Sequence, residues 1–182
     1  VTLGDLDNDG DLDFIAGSGG LHSRIFQEIR TNLGLAYSTG SFYEAKADYG
    51  LFGAYAMTKS ESTVKVVTTI LGMIREMAEK NVAPEELDRA KQAILNSFIF
   101  SFTSAEQVAL QSLMIEFNGL PDDFLNNYRS KIGNVSVGNI RDAAARYVRP
   151  DGELILIIGN EEVYQDILRT FNKVVRINEA LF

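Results

Sequence analysis

GGLHSRIFQEIRTNLGLAYSTGSFY, residues 19–43, holds a helix start, a helix stop and a strand grouped around one arginine and one tyrosine. Ile25, Phe26 and Ile29 recur at the spacing of one helical face, and Gly34 follows where a left-handed residue ends a helix. A short amphipathic helix is therefore predicted, with Arg30 on its last turn. Tyr37, seven positions after Arg30, begins a strand. A helix end and the strand leaving it lie close together, so the guanidinium and the phenol can converge on one bound group, such as a peptide carbonyl. The same spacing also suits a surface arginine and a half-buried strand tyrosine that share no ligand.

Outward from this stretch, the apolar and aromatic runs 35–42 and 50–57 flank the charged and small residues 43–49, the pattern of a hairpin. Over 60–80, Val64, Val67, Ile70, Leu71, Ile74 and Met77 recur at helical spacing, with Lys65, Arg75, Glu76 and Glu79 on the wet side. Pro84 opens the next helix at its first position, and Glu85 and Glu86 suit the positive end of its dipole. Leu87, Ala90, Ile94, Leu95 and Phe98 form its core face. Thr103 with Glu106 reads as a capping box before a helix that Gly119 ends. Pro121 starts a further helix to about 132, Ser136 caps another running to 148, and 161–171 closes the chain as a helix. Residues 154–158 are continuously apolar, as in a strand buried on both faces. A hairpin, several helices and a last strand describe an α+β domain, with helices packed on one face of a mostly antiparallel sheet.

Composition narrows the function. At 182 residues and 46% hydrophobic, the chain is long enough for one core. A net charge of −8 and no clustered Lys or Arg argue against a nucleic-acid partner. Without cysteine there is no disulfide framework and no thiolate chemistry. No apolar run approaches the roughly 18 residues that cross a bilayer, so a soluble protein with no membrane partner is expected. The one histidine, His22, cannot by itself build a zinc site of ordinary type. No Gly-x-Ser-x-Gly elbow, phosphate loop or dinucleotide fingerprint is present.

The first 17 residues, VTLGDLDNDGDLDFIAG, differ in character from the rest. Asp5, Asp7, Asp9, Asp11 and Asp13, with Gly10 at the turn, offer the closely spaced hard oxygens that calcium requires, yet Ala16 stands where an EF-hand places its bidentate glutamate. The segment resembles instead the calcium loops of integrin-type β-propeller repeats. An acidic solvated turn without metal fits the same residues. Residues 1–17 are thus an acidic, calcium-loop-like segment, either foreign to the domain or an altered N-terminus of it, and 18–182 are the main domain.

The series SR, EIR and GLAYS, at Ser23, Arg24, 28–30 and 34–38, resembles the non-catalytic half of the insulysin and pitrilysin type of zinc metallopeptidases. These inverzincins include the mitochondrial processing peptidases. The likeness extends through YGLFGAYAM (49–57), APEELDRAK (83–91), VSVGNIRDAAARY (135–147) and ELILIIGN (153–160), covering about 19–172. It implies an α+β half-domain that closes like a clamshell on a zinc-bearing half, with the open face of its sheet toward a chamber that holds an unstructured peptide. The family's zinc motif, His-x-x-Glu-His, is absent, so zinc is expected in the partner domain and hydrolysis by this chain alone is not. Arg30 and Tyr37 match the family's substrate-binding Arg and Tyr, with a supporting role toward the transition state. Ser23 and Arg24 are read as cap and anchor of the short helix. Residues 1–17 stand where family members carry a strand and a helix, which would leave part of the sheet open, so a dimer or larger assembly is expected. A bacterial cytoplasm, a periplasm and a mitochondrial matrix all suit the family, and a bacterial setting is expected ahead of the matrix. The competing reading is a non-enzymatic, calcium-binding or structural scaffold of the same superfamily.

Overall fold

The two apolar and aromatic runs do form a hairpin: β3 (Ala36–Ala45) pairs antiparallel with β4 (Gly50–Thr58). The structure, a computed structural model, describes residues 2–4, 14–16, 23–45, 50–149 and 152–177. His22 and Asp5, Asp7, Asp9, Asp11 and Asp13 of the acidic loop lie outside them. On either side of that loop, β1 (Thr2–Gly4) pairs antiparallel with β2 (Phe14–Ala16), and β1 runs beside β3. After the hairpin come α1 (Thr63–Glu79), α2 (Pro84–Phe98), α3 (Ala105–Phe117), α4 (Phe124–Asn134), α5 (Val137–Tyr147) and α6 (Glu161–Thr170). The class is α+β, with α1 and α5 against one face of the hairpin.

Period-two alternation decides which hairpin residues meet that layer. The pairs Thr39↔Ala56, Ser41↔Ala54 and Tyr43↔Phe52 turn toward the helices, where Ala54 and Ala56 pack with Ile29, Val66, Ile70 and Met73, and Tyr43 and Phe52 with Met77 and Ala143. Val66, Ile70, Met73 and Met77 are the inner stripe of α1, and Val66 is its buried residue. The expected stripe shares Ile70 and Met77 with it but begins at Val64, one register off. A second core, Leu87, Ile94, Ile132, Val135 and Ile140, joins α2, α4 and α5.

The helix ends follow local chemistry closely. Pro84 is the first residue of α2, and the Ser136 hydroxyl accepts from the Asn139 amide in a capping box that starts α5. Gly119, at φ +66°, ends α3 as expected. The cap of α3 lies one residue later than expected. The Ser104 hydroxyl accepts from the Gln107 amide, while the Gln107 side chain accepts from the Thr103 amide. Helix α4 begins at Phe124 rather than Pro121, because the Phe124 amide closes a turn on the Pro121 carbonyl first.

One expected element is not found. Residues 154–158 form no ladder with any described residue, and Leu154, Leu156 and Ile158 are 96%, 74% and 94% exposed rather than buried on both faces. A continuous apolar run shows that a strand would need covering, not that the cover is present. Helix α3 likewise buries no residue: its apolar side chains are spread around the helix and Leu110, Leu113, Met114 and Phe117 are exposed. Among the described residues, no helix is long and apolar enough to cross a membrane.

The aromatic contact that closes the second core carries a prediction. The Tyr128 ring stacks on Phe98 at 4.4 Å and tilts against Phe124 at 5.9 Å, and burial pushes its phenol from 10.0 up to about 12. The folded chain therefore keeps a proton that the unfolded chain releases first. Stability from this site is complete below about pH 10 and lost as pH rises toward about 12. Denaturant midpoints measured across that window should fall, and Tyr128→Phe should flatten the fall.

Candidate functional site

The predicted short helix is a π-helix, Phe26–Asn32. Its wide turn is closed by the Leu33 amide on the Glu28 carbonyl at 2.9 Å, five residues back. Gly34 then adopts φ +63°, which lets the Leu35 amide reach the Ile29 carbonyl at 2.9 Å and sends the chain into β3. A side chain at Gly34 would meet nothing within 4 Å, so the glycine answers to backbone conformation, not to space.

Two contacts at the helix start fix its position. The Ser23 hydroxyl accepts from the Phe26 amide at 3.2 Å, and Arg24 donates through Nε and Nη2 to the two carboxylate oxygens of Glu86, each at 2.6 Å. Both partners of this pair are about one-third exposed, at 32%. The Glu86 carboxylate raises the Arg24 guanidinium above its ordinary value. Cap and anchor are thus the roles of Ser23 and Arg24. Local spacing accounts for Glu86 only as a complement to the dipole of α2; its pairing across 62 positions leaves no signal there.

On this anchored helix Ile29 points inward and is 0% exposed, packed with Ile25, Ala36 and Val66. The next residue, Arg30, points outward. Its guanidinium carbon lies 5.0 Å from the centre of the Phe26 ring and 5.9 Å from that of Tyr37. Among the described residues Arg30 has no acidic partner, which leaves its donors available. Tyr37 sits where the register shifts between Ala36 and Ser38, so that Ala36 faces Thr58 and Ser38 faces Met57 with Tyr37 between them. Such a bulge re-aims a side chain, and Tyr37 is 82% exposed. Neither the bulge nor the contact with Phe26 is among the features expected from the sequence.

The chemistry open to this pair is donation. A guanidinium fork and a phenol hydroxyl on one exposed edge can hold carbonyl or carboxylate oxygens. Among the described residues no three His, Cys, Asp or Glu group to hold a metal, and the chain's one histidine, His22, lies outside them.

Residues 14–94 match the family model described as the peptidase M16 inactive domain. An "uncharacterized zinc protease" of Rickettsia felis is 31% identical over 156 residues, 86% of this chain and 31% of that protein. A "non-peptidase homolog", YmxG of Helicobacter pylori, is 26% identical over 82% of this chain and 34% of its own length. The chain thus spans about a third of the length of the curated relatives it matches. Among solved structures, a peptidase M16 inactive domain from Pseudomonas fluorescens superposes with a TM-score of 0.68 at 23% identity, over 76% of this chain and 33% of that one. That likeness is one of fold. The chain is thus similar to the peptidase M16 inactive domain over residues 14–94 and, over most of its length, to about a third of a protein named a zinc protease.

Proposed function

We propose that this chain is the substrate-holding half of an M16 zinc metallopeptidase, with Arg30 and Tyr37 gripping main-chain oxygens of an unstructured peptide while a zinc-bearing half of the family performs the hydrolysis. The observation that carries this reading is the placement of an exposed guanidinium without an acidic partner among the described residues, 5.9 Å from an exposed tyrosine ring at a strand bulge. Arg30 stands on a helix anchored by a bidentate ion pair and a serine cap, as a preorganised donor requires. The zinc belongs to the partner half, which shares the polypeptide or arrives as a separate subunit.

Titrating the purified chain into a labelled unstructured peptide and following fluorescence anisotropy tests the grip. Arg30→Ala should weaken binding by about tenfold or more, since hydrogen bonds to a charged donor contribute about 1.5–3 kcal/mol. A second reading, a scaffold that keeps the fold without handling peptide, is favoured by the "non-peptidase" name of the Helicobacter pylori relative. Binding indifferent to Arg30, or none, would select it.

A further inference from the structure

The hairpin face turned away from the helices begins where Tyr37 ends. Register places Ser38↔Met57, Gly40↔Tyr55 and Phe42↔Gly53 on that face, and Leu51 follows on β4. Met57, Leu51, Tyr55 and Phe42 are exposed at 63%, 48%, 46% and 39%. From Ser38 to Phe42 and from Leu51 to Met57, no residue of this face is Asp, Glu, Lys or Arg, and Glu44 is the register partner of Leu51 at its far end. In a chain of net charge −8 that is an uncharged strip between Arg30 at one end and Glu44 at the other. Gly53 has no side chain of its own to show: a Cβ there would come within 2.5 Å of the Phe42 ring, which already covers it.

We infer that this strip reads side chains. It takes an extended peptide carrying large aliphatic or aromatic residues and rejects charged ones, with Met57 and Tyr55 as the specificity-determining contacts. The inference rests on the peptide grip proposed above and names its substrate class. Size favours a single extended chain over a protein partner. The six steps from Leu51 to Met57 span roughly 20 Å, and two strands are about 10 Å wide. The strip's footprint is thus on the order of 200 Å², and doubling it for surface relief still leaves it below the roughly 800 Å² per partner of a stable protein interface. Charge favours a peptide too. A cation beside an uncharged apolar surface complements backbone oxygens flanked by apolar side chains, whereas a charged peptide side chain laid on the middle of the strip, over Tyr55 and Met57, would lose water and gain no partner there.

The test is anisotropy with three unstructured peptides that share flanking residues and differ at one position, Leu, Asp or Lys, against wild type, Met57→Glu, Tyr55→Glu and Arg30→Ala. Both glutamate substitutions fall on exposed positions, and circular dichroism checks that the fold is kept. Wild type should bind the Leu peptide about tenfold more tightly than the Asp or Lys peptides. In Met57→Glu and Tyr55→Glu the Leu preference should disappear and the Lys peptide should bind best. If binding depends on Arg30 but is equal for all three peptides and unmoved by the glutamates, the strip reads nothing; the inference falls and the grip stands. If the Leu preference depends on Met57 while Arg30→Ala changes nothing, the grip falls and the strip stands alone. Concentration-dependent self-association abolished by Met57→Glu, without peptide preference, would make the face a contact between copies and overturn the inference. Absence of binding to every peptide overturns both.

Discussion

Arg30→Ala and Tyr37→Phe should each lower kcat by about 10- to 1000-fold when this domain is assembled with a zinc-bearing half of its family, with folding unchanged. The magnitude reflects the contact each substitution removes. A peptide carbonyl gains negative charge as it is attacked, so a donor aimed at that oxygen is worth more in the transition state than in the ground state. The loss therefore appears mainly in kcat, with KM less affected. Geometry favours a joint effect, because the Arg30 guanidinium lies 5.9 Å from the Tyr37 ring and the two cannot be treated as distant, additive sites. Tyr37→Phe keeps the ring beside Arg30 and deletes only the hydroxyl, which separates donation from packing. Arg30→Lys keeps the charge but loses the planar fork, so it should restore only part of the rate. Steady-state kinetics on a quenched peptide substrate gives the answer. Unchanged turnover in both Arg30→Ala and Tyr37→Phe would remove the assignment.

Ile29→Ala should cost about 2–5 kcal/mol of folding stability, the range for truncating a fully buried aliphatic side chain. Ile29 is 0% exposed and is held by Ile25, Ala36 and Val66, which come from its own helix, from β3 and from α1. Three elements therefore line the cavity, and each is held elsewhere, so the hole cannot close by moving one of them. Leu110→Ala on α3, where the side chain is exposed, should change stability by no more than about 0.5 kcal/mol. Urea denaturation of both variants compares them directly. A loss below about 1 kcal/mol for Ile29→Ala would show that the π-helix does not pack as described. Because Arg30 is the next residue, a loosened Ile29 should also weaken peptide binding, although it touches no ligand.

Several elements are legible in the sequence because the information is local. Pro84, Ser136 and Gly119 each act within a turn of their own helix, through a missing amide, a hydroxyl acceptor or a left-handed backbone, and each marks the boundary expected of it. Two apolar and aromatic runs, 35–42 and 50–57, flanking a charged and small-residue connection are enough for the hairpin, whose first strand proves longer, so that Tyr43 belongs to β3 and is buried. Where two registers compete, locality is not enough. Periodicity alone puts Val64, Val67, Leu71 and Ile74 on the stripe of α1 and omits Val66, its buried residue, and Met73, since apolar side chains fall on both sides of that helix and only the layer beneath selects one.

By itself the sequence determined the α+β class, the order of hairpin and helices, the likeness to the peptidase M16 inactive domain, and the nearness of Arg30 to Tyr37, because a helix end and the strand leaving it must be neighbours. Tertiary structure decided the rest: the bulge that turns Tyr37 outward, the Arg24 to Glu86 bridge, the neutral face of the hairpin and the exposure of 154–158. The physical reason is range. Caps, turns and periodicity are settled by atoms a few residues apart, whereas an ion pair across 62 positions, or the covering of a strand, depends on which distant surfaces meet.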